Sequence, residues 1–271
     1  MSHGVYPLVS CIVPCFNETH RILNESLTSL RDQSFVNFEC IVVDESTDQN
    51  ISNACKIFCE SDERFIYIHP TKKIGLAASL NLGIKMAKGH FIARFDSDDI
   101  CAPDRLALQV DFLNQNPEIS VVGSALDIVD LSGNYIGRRS YPLTHDGIEN
   151  KFIFSNSVAH PAVMFRSSIL SKLEYAYDTK FRYAEDLDFW LRLLNCNVKF
   201  ANLSKPLVKY RQQQLSRANK HWLYNLKARI KNLSSPRRFE KLIAIFGIFL
   251  WMLLPKIIQQ SLFKLIQLRN H

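Results

Sequence analysis

Over roughly its first hundred residues the chain alternates short β-branched apolar runs with amphipathic stretches of helical spacing, and this rhythm restricts the fold more than composition does. Val9 to Val13 reads as a buried strand ending at Pro14. Arg21 to Gln33 sets Ile22, Leu23, Leu27 and Leu30 on one helical face. Phe38 to Val43 predicts a second strand closed by Asp44, Asn50 to Cys59 a helix, and Phe65 to Ile68 a strand. Leu76 to Ala87 predicts a helix stopped at Gly89, and His90 to Phe95 a further strand. Such β-α repetition implies a mostly parallel sheet with helices on both faces. Ligands of such sheets bind beyond the carboxyl ends of the strands. Three of those ends carry polar clusters: Asn17-Glu18, Asp44-Glu45-Ser46 and Asp96-Ser97-Asp98-Asp99.

At 271 residues, 47% hydrophobic and 22% charged, the chain can bury the core of one large domain, or of one domain with an appendage. Its N-terminus lacks the basic and apolar regions of a secretory signal. Seven cysteines, an odd number with no CxxC pair, read as reduced thiols of a cytoplasmic protein. The net charge of +7 hides an asymmetry. Lys209 to the end holds thirteen Lys or Arg against one acid, Glu240, whereas the preceding 208 residues hold 20 basic and 25 acidic side chains. A basic tail suits nucleic acid or an anionic lipid surface. Its aromatics sit in apolar runs, not interleaved with cations on a polar face, which argues against nucleic acid. Leu242 to Leu254 is apolar but too short to span a bilayer as a straight helix. Beyond Pro255, Ile257, Ile258, Leu262, Leu265 and Ile266 fall near one face, with Arg237, Arg238, Lys241 and Trp251 as interfacial anchors. That pattern fits a helix lying in the headgroup region, or a shallow re-entrant pair; a hydrophobic helix docked on the domain is the alternative.

Two acidic groups carry the chemistry. Three carboxylates within Asp96 to Asp99 repel one another unless a cation neutralises them. Oxygen ligands of this kind suit Mg²⁺ or Mn²⁺ bound together with substrate phosphates. A solvated acidic turn is the plainer reading. The second group, Glu185-Asp186, opens a predicted helix bearing Leu187, Trp190, Leu191 and Leu194. These acids either favour the helix dipole or supply a general base that takes a proton from an attacking alcohol.

Taken in order, Pro14-Cys15-Phe16-Asn17-Glu18, Asp44-Glu45-Ser46-Thr47-Asp48, Gly75 to Ile84, Arg94-Phe95-Asp96-Ser97-Asp98-Asp99 and Glu185-Asp186 resemble the family 2 glycosyltransferases of GT-A fold. In particular the chain looks like the bacterial enzymes that build O-antigen and capsule repeat units, and the likeness runs from about Val9 to Arg211. The resemblance implies an α/β GT-A domain over residues 1–211, with a nucleotide-binding half (1–103) and an acceptor half (104–211). Residues 212–271 would be a basic, helical, membrane-associating tail. Pro14 and Glu18 would line the nucleoside pocket, and Asp44 would receive a uracil ring, favouring a UDP-sugar. Asp96 and Asp98 would form the DxD element, with Asp98 first among the metal ligands for Mn²⁺ or Mg²⁺. Asp186 would be the base, with Glu185 beside it, in an inverting transfer of a single hexose. The acceptor would be a polyprenyl-diphosphate-linked glycan at the cytoplasmic side of the inner membrane.

Two departures stand out. The strand-two signature lacks its usual glycine, which bears on the turn after Asp44, and the Gln-x-x-Arg-Trp element of processive synthases is absent. Lys72, Lys73 and Arg94 are candidates to pair with phosphates or with the Asp96 cluster. His160, expected to open a strand, and Arg211 are candidates for diphosphate or acceptor contact. A nucleotidyltransferase of related fold and a non-catalytic, membrane-associated carbohydrate-binding protein are the competing classes.

Overall fold

The computed structural model describes residues 6–212, 219–234, 237–255 and 258–259. Strand β1 (Val9–Cys15) leads into α1 (His20–Arg31), followed by β2 (Phe38–Asp44), α2 (Gln49–Glu60), β3 (Phe65–Ile68), α3 (Leu76–Met86) and β4 (Phe91–Arg94). These follow the alternation read from the sequence to within one or two residues. The side chain of Thr19 caps α1 by accepting from Ile22 N, and that of Asp48 caps α2 by accepting from Asn50 N. Then come β5 (Ile100–Cys101), α4 (Arg105–Gln115), β6 (Ile119–Val129), β7 (Tyr135–Arg139), α5 (His145–Phe152), β8 (Met164–Arg166), α6 (Glu185–Asn195), β9 (Lys199–Arg211), α7 (Asn219–Lys231) and α8 (Arg238–Leu253).

The strands form one sheet in the order β3-β2-β1-β4-β8-β6-β9-β5, with β7 paired to β6. The first half is parallel, with Val9 opposite both Phe38 and Phe91. That register sets Cys15 beside Asp44 and Ile12 beside Arg94, so all three polar clusters emerge at one edge. Strand β8 then joins β4 and β6 antiparallel to both. The long β9 runs parallel to β6 and ends antiparallel to β5, pairing Ile100 with Lys209. This last pairing carries Arg211 behind the Asp96–Asp99 loop.

Helices cover both faces. On one, Leu23, Leu27, Leu30, Cys55, Leu106 and Leu113 pack with the inward residues of β1 and β2. On the other, Leu80, Leu187, Phe189, Trp190 and Leu193 meet Ile12, Ile92, Phe165 and Phe200. Helix α3 lies so close to β1 that a Cβ on Gly83 would stand 2.5 Å from Ile12 Cγ2. All seven cysteines are free thiols, six of them buried.

Packing continues across residue 211, where the sequence suggests a domain boundary. Arg229 on α7 donates to the carbonyls of Phe152 and Ile153, and Asn232 Nδ2 donates to the fully buried Asp188 of α6 at 2.9 Å. Lys231 pairs with Asp188 and Asp178, so α7 is tied to the body by buried polar bonds. Helix α8 buries Ala244 and Ile248 but exposes Phe239, Ile243, Phe246, Phe249, Leu250 and Leu253. Among the described residues no helix is long and apolar enough to cross a membrane. Ile257, Leu262, Leu265 and Ile266 of the expected amphipathic run lie outside the described residues.

Candidate active site

A cleft of about 340 Å³ opens at the carboxyl ends of β1 and β4, lined by Pro14, Phe16, Glu18, Glu45, Lys73, Gly75, Asp96, Ser97, Asp98 and Tyr210 among others. It brings together five of the residues singled out from the sequence: Pro14, Glu18, Lys73, Asp96 and Asp98. Each is placed by a strand end or by the loop after it.

Negative charge dominates the floor. Oxygens of Asp96, Asp98 and Asp99 all lie within 4.8 Å of one another. Burial, then the charges of Asp98 and Asp96, push the Glu18 carboxyl up to about 7 from an ordinary 4.5. Burial and Asp96 push Asp98 up to about 6, and burial raises Asp99 well above the usual range. Two guanidiniums oppose them. Arg94, 4% exposed, is ion-paired with Asp96, and Arg211 donates through Nη1 to the Asp98 carbonyl at 3.0 Å. The Arg211 backbone N–H also bonds Asp99 Oδ1 at 2.9 Å, while Asp99 Oδ2 has no hydrogen-bond partner. Crowded carboxyl oxygens, one of them orphaned, fit a hard divalent cation of the Mg²⁺ or Mn²⁺ type. Asp96 and Asp98, which line the cleft, are the residues placed to hold it.

Other sequence candidates lie beneath the cleft surface. Asp44, expected to face a base, is fully buried: Oδ1 accepts from Ser46 N at 2.9 Å and Oδ2 from the Tyr67 hydroxyl at 2.9 Å. The turn without glycine closes on its own aspartate, and Glu45, the next residue, lines the cleft instead. Glu45 accepts from Ile74 N at 2.6 Å, from Gly75 N at 2.8 Å and from the Ser79 hydroxyl, fixing the loop that carries Lys73. The Lys73 ammonium stands 3.2 Å from the Phe16 ring centroid; Lys72 is exposed. Arg94 and Arg211 are anchors of the acidic loop and line no part of the cleft. Arg211 is further held by Glu25, a partner that spacing along the chain does not reveal.

His160 does not open a strand. It starts a short 3-10 turn, His160–Ala162, with β8 beginning at Met164. Its Nε2 meets the Tyr177 hydroxyl at 2.9 Å, and its ring stands edge-on to Trp190. Burial and the Arg94 charge hold it well below the ordinary histidine value, so it is neutral under Arg94 and away from solvent.

The second acidic pair opens α6 and lines no part of this cleft, though Glu185 lies near enough to feel the charges of Arg94 and Asp96. Ala184, just before it, adopts the left-handed conformation at φ 57° and ψ 25°. Glu185 is buried, and burial together with the Asp186 charge pushes it up to about 7; Arg94 opposes this and Asp96 adds to it. Asp186 is half-buried, its Oδ2 accepting from Asn156 Nδ2 at 2.6 Å. Two sets of carboxylates thus feel each other through Arg94, one suited to a cation and the other to a proton.

A sequence profile described as Glycosyl transferase family 2 matches residues 10–174. The O-antigen biosynthesis glycosyltransferase WbnJ of Escherichia coli is 33% identical over 216 residues, 78% of this chain and 82% of that one. S. aureus TarS 1–349 in complex with UDP-GlcNAc has a TM-score of 0.65 at 20% identity, covering 89% of this chain and 71% of that one. Of a longer TarS chain this protein spans 43%. The mannosyltransferase PcManGT of Pyrobaculum calidifontis, in complex with GDP-Man and Mn²⁺, also has a TM-score of 0.65, at 16% identity, covering 92% and 70%. The fold is thus the GT-A arrangement of these neighbours, and the chain belongs to Glycosyl transferase family 2 and is a glycosyltransferase.

Proposed function

We propose that the protein transfers a single hexose, galactose or glucose in preference, from a UDP-sugar to a lipid-linked glycan during bacterial surface polysaccharide synthesis. The observation that carries this reading is the cleft at the strand ends, where Glu18, Asp96, Asp98 and Asp99 crowd together with too little positive charge. A divalent cation bound by Asp96 and Asp98 would supply charge stabilisation for a departing diphosphate. Pro14, Glu18 and Lys73 line the space in which the donor would lie. The two structural neighbours carry different nucleotides, UDP-GlcNAc and GDP-Man.

The acceptor hydroxyl would attack the anomeric carbon opposite the nucleotide, so the new bond forms as the bond to the diphosphate breaks and the configuration inverts. The hydroxyl proton would pass to a carboxylate. Glu185 and Asp186 repel each other, and buried Glu185 retains a proton more readily than an ordinary carboxyl. That leaves Asp186, half-buried and oriented by Asn156, as the base. His160 and Arg211 would support the site from below. The exposed apolar face of α8 and its basic surroundings would hold the enzyme at the cytoplasmic face of the membrane, with the catalytic body extending through α7.

Thermal shift of the purified protein with Mn²⁺ against UDP, GDP, CDP, dTDP and ATP tests this reading, with Asp98→Asn alongside. Saturating UDP is expected to add about 3 kcal/mol at a hundredfold excess over Kd, and the shift should vanish in Asp98→Asn. A shift with GDP alone would overturn the UDP assignment. A shift with ATP and release of pyrophosphate from an NTP would favour a nucleotidyltransferase, and no shift at all would remove the donor site from this cleft.

A further inference from the structure

A second buried charge lacks a partner far from the acidic cleft. Arg229 is 6% exposed, and its guanidinium is held by neutral acceptors alone. Nη1 donates to the carbonyls of Phe152 and Ile153, both at 2.6 Å, and Nε to Asn225 Oδ1 at 2.8 Å. Nη2 has no hydrogen-bond partner, and among the described residues no carboxylate forms an ion pair with it. Burial alone pulls this arginine down to about 10, from an ordinary 12.5. A buried cation with no counter-charge is unfavourable unless something supplies the anion.

Arg229 lines a cavity of about 130 Å³ between α5, α6, α7 and the start of α8. Leu191, Leu194 and Phe152 give it apolar walls, while Arg237 and Lys241 bring two more cations. Among the described residues Glu149 is the one carboxylate in the lining, so three positive charges face one negative. Arg237 is shared with Glu240 outside the cavity, whereas Lys241 donates to Ser234 Oγ at 2.9 Å and forms no ion pair among the described residues. Nucleotide and drug-sized sites run to about 300 Å³ or more, so this volume suits a single charged headgroup. Arg237 and Lys241 belong to the N-terminal end of α8, the helix whose Phe246, Phe249 and Leu253 stand exposed. Cationic lining and apolar walls match one class of ligand, an amphiphile with an anionic head, and the same helix presents its exposed apolar residues on the side away from the cavity.

We propose that this cavity binds the phosphate group of an anionic membrane lipid, with Arg229 as the buried cation and Lys241 as the more accessible one. The lipid source rests on the membrane reading of α8, while the anion site stands on the cavity itself.

Calorimetry on the full chain tests it, using dihexanoyl phosphatidic acid below its micelle concentration beside inorganic phosphate and dihexanoyl phosphatidylcholine. Saturable binding of the phosphatidic acid is expected, weakened about tenfold or more in Lys241→Gln and in Arg229→Gln. Arg229 also holds two backbone carbonyls, so Lys241→Gln carries the test if Arg229→Gln does not fold. An unchanged Mn²⁺–UDP shift in Lys241→Gln verifies that the body is intact. Absence of saturable binding, or binding indifferent to Lys241→Gln, overturns the site. Inorganic phosphate binding as tightly, with the same sensitivity to Lys241→Gln, overturns the lipid assignment in favour of free phosphate. Phe246→Asp with Phe249→Asp is expected to abolish co-sedimentation with phosphatidylglycerol vesicles yet leave short-chain binding unchanged. Wild type that ignores vesicles but binds the short-chain lipid sinks the membrane reading and supports the cavity.

Discussion

The cleft at the strand ends and the cavity under α8 are opposite in sign and alike in logic. One gathers Glu18, Asp96, Asp98 and Asp99 against two anchoring arginines; the other buries Arg229 among carbonyls and leucines. In both, a side-chain atom is left without a hydrogen bond, Asp99 Oδ2 in the first and Arg229 Nη2 in the second. A fold tolerates such groups only by giving up stability in its unliganded state. Their origins differ. Two of the four acids that line the cleft, Asp96 and Asp98, come from one loop after one strand, with Asp99 of the same loop buried behind them, whereas the cavity draws its lining from four helices between residues 149 and 241.

Asp98→Asn should show the acidic region most strongly. Loss of a metal ligand is expected to lower turnover about a thousandfold or more, with the metal-dependent nucleotide shift gone. Because Asp98 is raised to about 6, the same change should stabilise the unliganded protein at about pH 8 by roughly 1–3 kcal/mol. Turnover near wild type, or an unliganded protein made less stable, would remove the likeness between the two regions. Asp186→Asn should lower kcat at least about a hundredfold while leaving UDP and Mn²⁺ binding unchanged. A matching loss of donor affinity would move Asp186 out of the role of base and into the donor site.

The stability of the unliganded protein as a function of pH separates the regions without any substrate. Glu185 rises from 4.5 in the unfolded chain to about 7 in the folded one. Its contribution is therefore present below about pH 4.5 and lost as pH climbs through 7, by about 1–3 kcal/mol. Glu18 acts in the same direction, less strongly because it is partly solvated. His160 is depressed, so its contribution is present above 6.5 and lost below it, opposing the carboxyls in acid. Arg229 is depressed to about 10 and adds no slope near neutrality. Between about pH 6.5 and 8, stability is expected to fall, and Glu185→Gln should flatten the curve. Chemical denaturation across that window is the measurement, and a rising curve would contradict the burial of Glu185.

The sequence made the acidic region legible and hid the basic one, for a physical reason. Apolar periodicity reports local geometry, so β1, β2 and β4 and the carboxylates just beyond them could be placed from spacing alone. Which of those side chains face the cleft is decided by long-range packing. Asp44 is turned inward, where it accepts from Ser46 N and Tyr67, and the neighbouring Glu45, itself buried, is the one that reaches the cleft lining. Arg211 reads as a free cation until the pairing of Ile100 with Lys209 carries it behind the acidic loop. Arg229 looks like one of thirteen tail cations, and only the docking of α7 against α5 and α6 makes it a buried one. The absence of acids around a buried cation leaves no local motif.

The smallest effect is expected at Ala184, which sits in neither charged region but joins one of them to the fold. A left-handed conformation costs an L-residue roughly 1–2 kcal/mol, and glycine adopts it freely. Ala184→Gly relieves that strain while adding freedom to the unfolded chain, an opposing term of about 0.4–1 kcal/mol. The net expectation is a gain of at most about 1 kcal/mol, read as a small rise in Tm. Turnover tells what the strain is for. If the Asn156 bond and the burial of Glu185 are enough to aim Asp186, kcat should change less than about threefold. A tenfold fall in kcat with stability intact would mean that the left-handed turn itself holds Asp186 in place. The strain at Ala184 would then belong to the acidic region, as a second stability deficit maintained for chemistry, with no counterpart around Arg229.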